Sequence, residues 1–63
     1  MRRYRAEVVV KELYKKNPEM KIVSLTTDAE CEVDARREFI HIAYMSDMYV
    51  SHFDSIQSKE LSS

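Results

Sequence analysis

The chain has 63 residues, a formal net charge of −1 and a single cysteine, with 44 % hydrophobic and 33 % charged residues. This length allows one domain at most, and the lone Cys31 excludes an intramolecular disulfide. No apolar run suits a signal peptide or a membrane span, and the balanced charge argues against nonspecific DNA binding as the main role. We expect one small domain over residues 1–63 that is cytoplasmic (in the host cell if a phage encodes it) and forms a homodimer to compensate for its small core.

The charge is divided unevenly between the two parts of the chain. Residues 1–21 carry seven basic and three acidic side chains, and residues 22–63 carry three basic and eight acidic ones. The two parts therefore have formal charges of +4 and −5, which sum to the −1 of the whole chain. Such a division indicates two surfaces that face different partners.

The first predicted element is a β-hairpin. Residues 3–11 alternate between charged side chains and apolar ones, the latter being Tyr4, Ala6, Val8 and Val10. Pro18 sits in a polar segment that suits a type I turn, and residues 22–26, three of which are β-branched, follow it. The pattern predicts that residues 2–14 pair with residues 20–26. The competing interpretation makes residues 4–16 a helix, which the run of valines disfavours.

The second predicted element is a long acidic helix over residues 27–57, followed by a frayed tail over residues 58–63. Thr27 and Glu30 have the spacing of a capping box, and no glycine or proline interrupts residues 28–57. The predicted fold class is therefore α+β, a β-hairpin followed by one long helix in the order ββα. One alternative ends the helix near Asp47 and makes residues 48–56 a short third strand, and an all-β fold is a further alternative.

This helix would carry two apolar stripes. We expect the first stripe to cover the hairpin, and it consists of Ala29, Val33, Ile40, Ala43 and Tyr44. The second stripe has the alternating spacing of four and three residues that is typical of a coiled-coil contact, and it consists of Ala35, Phe39, Ile42, Ser46, Tyr49, Phe53 and Ile56. We expect the second stripe to contact a partner.

The sequence therefore favours a non-enzymatic protein-binding module, a regulator or inhibitor of another protein. The predicted anchors are Phe39, Ile42, Tyr49, Phe53 and Ile56, with Glu38 and Asp34 orienting the partner. A very small, glycine-free chain with an unpartnered apolar stripe is typical of the proteins that phages and mobile elements encode to block host enzymes.

The alternative function is that of a small nucleic-acid-binding regulator. The basic residues that would carry it are Arg2, Arg3, Arg5, Lys11, Lys15 and Lys16. On an alternating strand, Arg3, Arg5 and Lys11 share the face opposite the apolar residues, so that face could meet phosphates.

The sequence offers no pattern for catalysis or for metal binding. The residues that come nearest to such a pattern are Cys31, Asp34, Glu38 and His41, whose spacing matches no established site. A chain of this size rarely encloses the cavity that a nucleophilic cysteine needs. We therefore predict no enzymatic activity, no cofactor and no metal.

Overall fold

A computed structural model describes residues 1–60 as three strands and one helix in the order ββαβ. The elements are β1 (Arg2–Glu12), β2 (Met20–Ala29), α1 (Glu32–Met45) and β3 (Met48–Glu60). The sheet order is β2-β1-β3, and β1 is antiparallel to both of its neighbours. The most buried strand of the described chain is the central one, with both of its edges paired.

The predicted hairpin is present, and its two strands pair without interruption. The register begins at Arg2 opposite Ala29 and ends at Lys11 opposite Met20. Residues 13–19 connect the strands and include Pro18, as the sequence predicted. Because the chain has no glycine, a non-glycine residue occupies the left-handed region in this connection, namely Tyr14 at φ 64°.

The core lies between α1 and one face of the sheet. Tyr4, Ala6, Val8 and Val10 of β1 are buried on that face, as their alternation predicts. The helix contributes Phe39, with no exposed surface, between two buried alanines at positions 35 and 43. Small side chains on both sides of Phe39 let the helix approach the sheet closely, so this one aromatic ring fills the centre of the core.

Strand β3 contributes Phe53 to the border of the core. The Phe39 and Phe53 ring centroids are 6.1 Å apart with the rings inclined at 54°, a favourable tilted arrangement. The Arg36 guanidinium covers the outer side of the Phe53 ring at 5.0 Å from its centroid, and its Nε lies 3.4 Å from a Glu32 carboxylate oxygen. The Phe53 ring therefore contacts α1 through both Phe39 and the Arg36 guanidinium.

The predicted fold class, a ββα order with one helix over residues 27–57, is wrong. The helix ends at Met45, and residues 48–60 form the third strand of the sheet. Ser46 caps the helix, and Asp47 at φ 58° reverses the chain while its carbonyl accepts a hydrogen bond from the Leu13 amide at 2.8 Å. Residues 48–60 form a strand because the backbone groups along the second edge of β1 would otherwise lack sheet partners.

The predicted capping box is also wrong. Thr27 lies in β2, opposite Tyr4, and β2 continues to Ala29. Cys31 occupies the N-cap position, and no side-chain hydrogen bond caps the helix there. Pairing with β1 extends the strand through the residues that would have formed the box, so the long-range sheet contacts override the local capping signal.

The frayed tail that the sequence predicts over residues 58–63 lies only partly within the described chain. Residues 58–60 belong to β3, and residues 61–63 lie outside the part of the chain that the structure describes. Within residues 1–60, the structure contains no helix with the length and hydropathy needed to cross a bilayer.

Candidate functional site

The outward side of α1 carries an apolar stripe, which we call the outer stripe and define as Val33, Ile40 and Tyr44. These side chains are 59 %, 50 % and 67 % exposed, respectively. At about 100° per residue they lie roughly 100–140° around the helix from Phe39, the residue that faces the sheet, and so form an exposed flank. Met45 at the end of the helix is exposed as well. The helix therefore has a second apolar side on this exposed flank, in addition to the side that the sheet covers.

Each of the two predicted stripes is divided between the core and the surface, and Ala29 and Ala43 of the first stripe are buried as predicted. Val33, Ile40 and Tyr44 were expected to cover the hairpin, yet they point away from it. Phe39 was expected to contact a partner, yet it is fully buried in the core. The larger apolar volume of Phe39, matched by Phe53 on β3, explains which side faces the sheet.

The predicted partner anchors are distributed over the fold and do not form one line. Phe39 is buried, whereas Ile42, Phe53 and Ile56 are half-buried beside the core. Tyr49 is exposed on β3. Of the five predicted anchors, Tyr49 therefore has the most surface for a partner.

The predicted acidic residues lie beside the start of the helix. Asp34 and Glu38 line a shallow concavity of about 320 Å³ together with Glu30 and Asp28 from the end of β2. Arg37 lies at the same concavity. This end of the molecule thus carries four carboxylates, one guanidinium and the N-terminal ammonium group, which lies 3.8 Å from a Glu30 oxygen.

The face of the sheet that α1 does not cover, here called the open face, carries the predicted basic residues of β1. Arg3, Arg5 and Lys11 alternate with the buried residues of the strand and so lie on this face, as predicted. Among the other predicted basic residues, Lys15 and Lys16 lie in the connection between β1 and β2. Arg2 has the opposite parity to Arg3 and lies at the start of β1 on the helix side.

Ion pairs neutralise part of the open face. Arg3 Nε donates a hydrogen bond of 2.9 Å to a carboxylate oxygen of Asp28 on β2. This bond and the charge of the guanidinium lower the pKa of Asp28. The same bond and the charge of the carboxylate raise the pKa of Arg3. Arg5 lies 3.9 Å from a Glu7 oxygen, and Glu7 also accepts hydrogen bonds from the Ser24 hydroxyl at 2.8 and 2.9 Å.

Strand β3 adds residues to the open face that the sequence did not assign to it. The register places Lys59 opposite Arg3, and Gln57 opposite Arg5. Together with Thr26 they line a shallow concavity of about 350 Å³. Farther along the strand, His52 lies opposite Val9. Sequence reasoning missed this group because it placed residues 48–57 in a helix; reading them as a strand paired with β1 would have found it.

The other end of the open face is apolar. Lys11 of β1 lies there between Tyr49 on β3 and Met20 on β2. Ile22, which is 61 % exposed, flanks Val9, and Val9 itself is nearly buried between its neighbours. The open face therefore changes from arginine and lysine at one end to methionine, isoleucine and tyrosine at the other.

A compact ion cluster joins β1, β2 and their connection. The Glu12 carboxylate lies 2.7 Å from Lys15 Nζ and 2.6 Å from Lys21 Nζ. The hydrogen bonds from Lys15 and then from Lys21 lower the pKa of Glu12 from 4.5 to about 2. Because the folded-state pKa is depressed, this cluster stabilises the fold above about pH 4.5, and the contribution is lost as the pH falls toward 2.

The remaining candidates for chemistry are dispersed. Cys31 is an exposed free thiol at the start of the helix. Within residues 1–60, no three His, Cys, Asp or Glu side chains are grouped in a way that could hold a metal ion.

Comparison with known proteins adds no relative from which a function could be transferred. No protein-family model matches the chain, and the curated proteins and the solved structures likewise contain no significant match.

Proposed function

We propose that this protein is a non-enzymatic protein-binding module, a regulator or inhibitor of another protein, and that it binds through the outer stripe of α1. The observation that carries the proposal is the exposure of Val33, Ile40 and Tyr44 on one side of a helix whose other side is already buried. A surface helix normally presents polar residues to water on the side away from the core. An exposed apolar line at helical spacing is typical of a helix that lies in a partner's groove.

The charges beside the outer stripe define the partner further. Arg37 lies next to the stripe on the helix surface, and Asp34 and Glu38 lie beyond it, about 120° around the helix from the stripe. The complementary partner is a protein with an apolar groove and basic side chains along one rim. In such a complex Tyr44 is the side chain best suited to be an anchor, because tyrosine combines a large apolar surface with a hydroxyl group.

Two isoleucines of similar exposure allow a matched test. Ile40 on the outer stripe is 50 % exposed, and Ile22 on the open face is 61 % exposed. Ile40→Lys is expected to abolish capture of a protein partner from a lysate of the native host, whereas Ile22→Lys is expected to retain it. Both variants should keep the parent's circular dichroism spectrum, because neither residue belongs to the core. Capture is run after nuclease treatment, and the recovered protein is then purified and titrated by calorimetry.

The opposite pattern would contradict the proposal. Loss of the partner with Ile22→Lys and retention with Ile40→Lys would assign the contact to the open face. Equal affinity of the purified partner for the parent and for Ile40→Lys would remove the outer stripe from the interface. The prediction that the chain comes from a phage or mobile element and acts in the host cytoplasm stays a prediction beside this proposal.

A second candidate function is the binding of single-stranded nucleic acid on the open face. The observation that favours it is the concavity where Arg3, Arg5 and Lys59 meet, with Tyr49 and His52 farther along the same face. Cations that contact phosphates and aromatic rings on which bases stack are the two elements of such a surface. The pairing of Arg3 with Asp28 weakens this candidate, because it satisfies one of the cations internally.

Fluorescence anisotropy with a labelled oligothymidine at low salt tests this second candidate. Arg5→Ala is expected to weaken binding and to reduce the slope of log affinity against log salt by about 1. Arg37→Ala, on α1 and away from the open face, is the matched control and should leave affinity nearly unchanged. Absence of binding by the parent at low salt would exclude the candidate.

A further inference from the structure

The two edges of the sheet differ in their protection against pairing with another strand. In β3 the register against β1 shifts twice, between Glu7 and Val8 and between Val9 and Val10, so this strand is bulged at two places. The strand also carries three charges, which are Asp54, Lys59 and Glu60. Bulges and charges are the means by which natural sheets prevent edge-to-edge association.

The outer edge of β2 has none of these protections in its central part. All ten residue pairs with β1 follow one register without a bulge. Residues 22–27 have the sequence IVSLTT, which contains no charge, no proline and four β-branched residues. Among the described strands, only β1 pairs with β2. A long, regular, uncharged edge of this kind is a template for another strand.

We propose that β2 pairs antiparallel with β2 of a second copy of the chain, which joins the two sheets into one of six strands. A two-fold axis perpendicular to the sheet makes the adjoining strands antiparallel and keeps each face of the sheet on its own side. For each face to stay on its own side, odd-numbered residues must lie opposite odd-numbered ones and even-numbered residues opposite even-numbered ones. The axis lies at Ser24, so Val23 lies opposite Leu25 of the second copy, and Ile22 lies opposite Thr26.

The side chains of β2 are complementary to themselves in this register. Val23 and Leu25 are partly buried against the core on the helix side, and each would cover the other across the new contact. Lys21 falls opposite Thr27, and Asp28 falls opposite Met20, so like charges do not face each other within the paired segment. A β-branched pair, Ile22 with Thr26, forms on the open face.

The composition of the core argues for a second copy as the occupant. Nine hydrophobic residues are buried, and four of them are alanine. A domain of this size gains little from such a core, and oligomerisation is one way in which small domains obtain more buried apolar surface. The dimer would also place both α1 helices on the same side of the six-stranded sheet, so two outer stripes would face in one direction.

Amide hydrogen exchange and mass measurement test the pairing on the unmodified chain. Sedimentation at several concentrations should give twice the monomer mass of 7.5 kDa. Successive N–H groups of a strand point to opposite edges, so in a lone edge strand alternate amides exchange rapidly. In the proposed dimer consecutive amides of residues 21–27 are protected, whereas alternate amides of β3 still exchange rapidly.

Two serines provide a matched pair of variants. Ser24 and Ser55 lie on either side of Glu7 in the same row of the open face, one on each edge strand. A lysine at either position can pair with Glu7 in the monomer. In the dimer, however, Ser24→Lys places two ammonium groups opposite each other at the axis. It is expected to raise the dissociation constant of the dimer roughly fivefold, with partial recovery in high salt.

Ser55→Lys is expected to leave the dissociation constant unchanged. A monomeric parent at all concentrations would overturn the proposal. So would a dimer in which alternate β2 amides exchange rapidly, or one that Ser24→Lys and Ser55→Lys weaken equally. Ile40→Lys leaves the β2 edge unchanged, whereas Ile22 lies within the paired segment. The dissociation constant of the dimer is therefore measured for Ile22→Lys as well, so that loss of the dimer is distinguished from loss of the partner.

Discussion

Replacing Phe39 with alanine is expected to leave most of the chain unfolded at 25 °C. Phe39 has no exposed surface and is the largest fully buried side chain in the described part of the molecule. Truncating a buried phenylalanine to alanine costs about 3–5 kcal/mol, which includes the cavity that it leaves. A single core of this size supplies roughly 3–5 kcal/mol in total. The loss is therefore comparable to the whole free energy of unfolding.

The neighbouring residue provides the control for this prediction. Ile40→Ala removes an apolar side chain from the same helix, but this side chain is half exposed on the outer stripe. It is expected to change the free energy of unfolding by about 0.5–1 kcal/mol or less. Urea denaturation followed by circular dichroism measures both variants. A Phe39→Ala protein as stable as Ile40→Ala would contradict the core position and return Phe39 to the role of a partner anchor.

The hairpin could be predicted from the sequence because local and long-range signals agree there. The alternation of Tyr4, Ala6, Val8 and Val10 with charged residues has the period of a strand, and the same residues are buried under α1. Pro18 marks the connection that the structure contains. From the same alternation the sequence also predicts that Arg3 and Arg5 lie on the opposite face.

The third strand was mistaken for helix because its bulges change the spacing of its inward residues. A regular strand has an inward side chain at every second residue. In β3 the half-buried positions are Met48, Val50, Phe53 and Ile56, and the last three are spaced by three because the register shifts twice against β1. Spacings of three and four are the signal of a helix. Bulges depend on contacts with β1, so the pattern of residues 48–56 alone could not reveal them.

The candidate site could be predicted only in part for the same reason. Once residues 48–57 are placed in a helix, Tyr49 becomes part of a helical stripe, and Lys59 falls in a tail. In the sheet, Tyr49 and Lys59 lie on the open face beside Lys11 and Arg3. The outer stripe was visible as an apolar pattern, but its outward direction depends on how Phe39 packs against Phe53, a contact between distant parts of the chain.

A chain that ends after Asp47 is expected not to fold, which is the second large effect. Such a chain keeps the hairpin and the whole of α1, the elements of the ββα prediction. It loses the strand that pairs with β1 over its full length, and with it Val50, Phe53 and Ile56 from the border of the core. The Phe39 ring would then be exposed on one side, and one edge of the most buried strand, β1, would be bare.

Adding the missing strand back separates this effect from general damage by truncation. A synthetic peptide of residues 48–63 mixed with the fragment of residues 1–47 is expected to restore the circular dichroism spectrum and a cooperative thermal transition. A peptide with Phe53→Ala should restore them much less, because it lacks the ring that faces Phe39 at 6.1 Å. Cooperative unfolding of the fragment alone would show that hairpin and helix suffice. Because β3 supplies both backbone partners and apolar side chains, we expect the fragment to need the peptide for any stable structure.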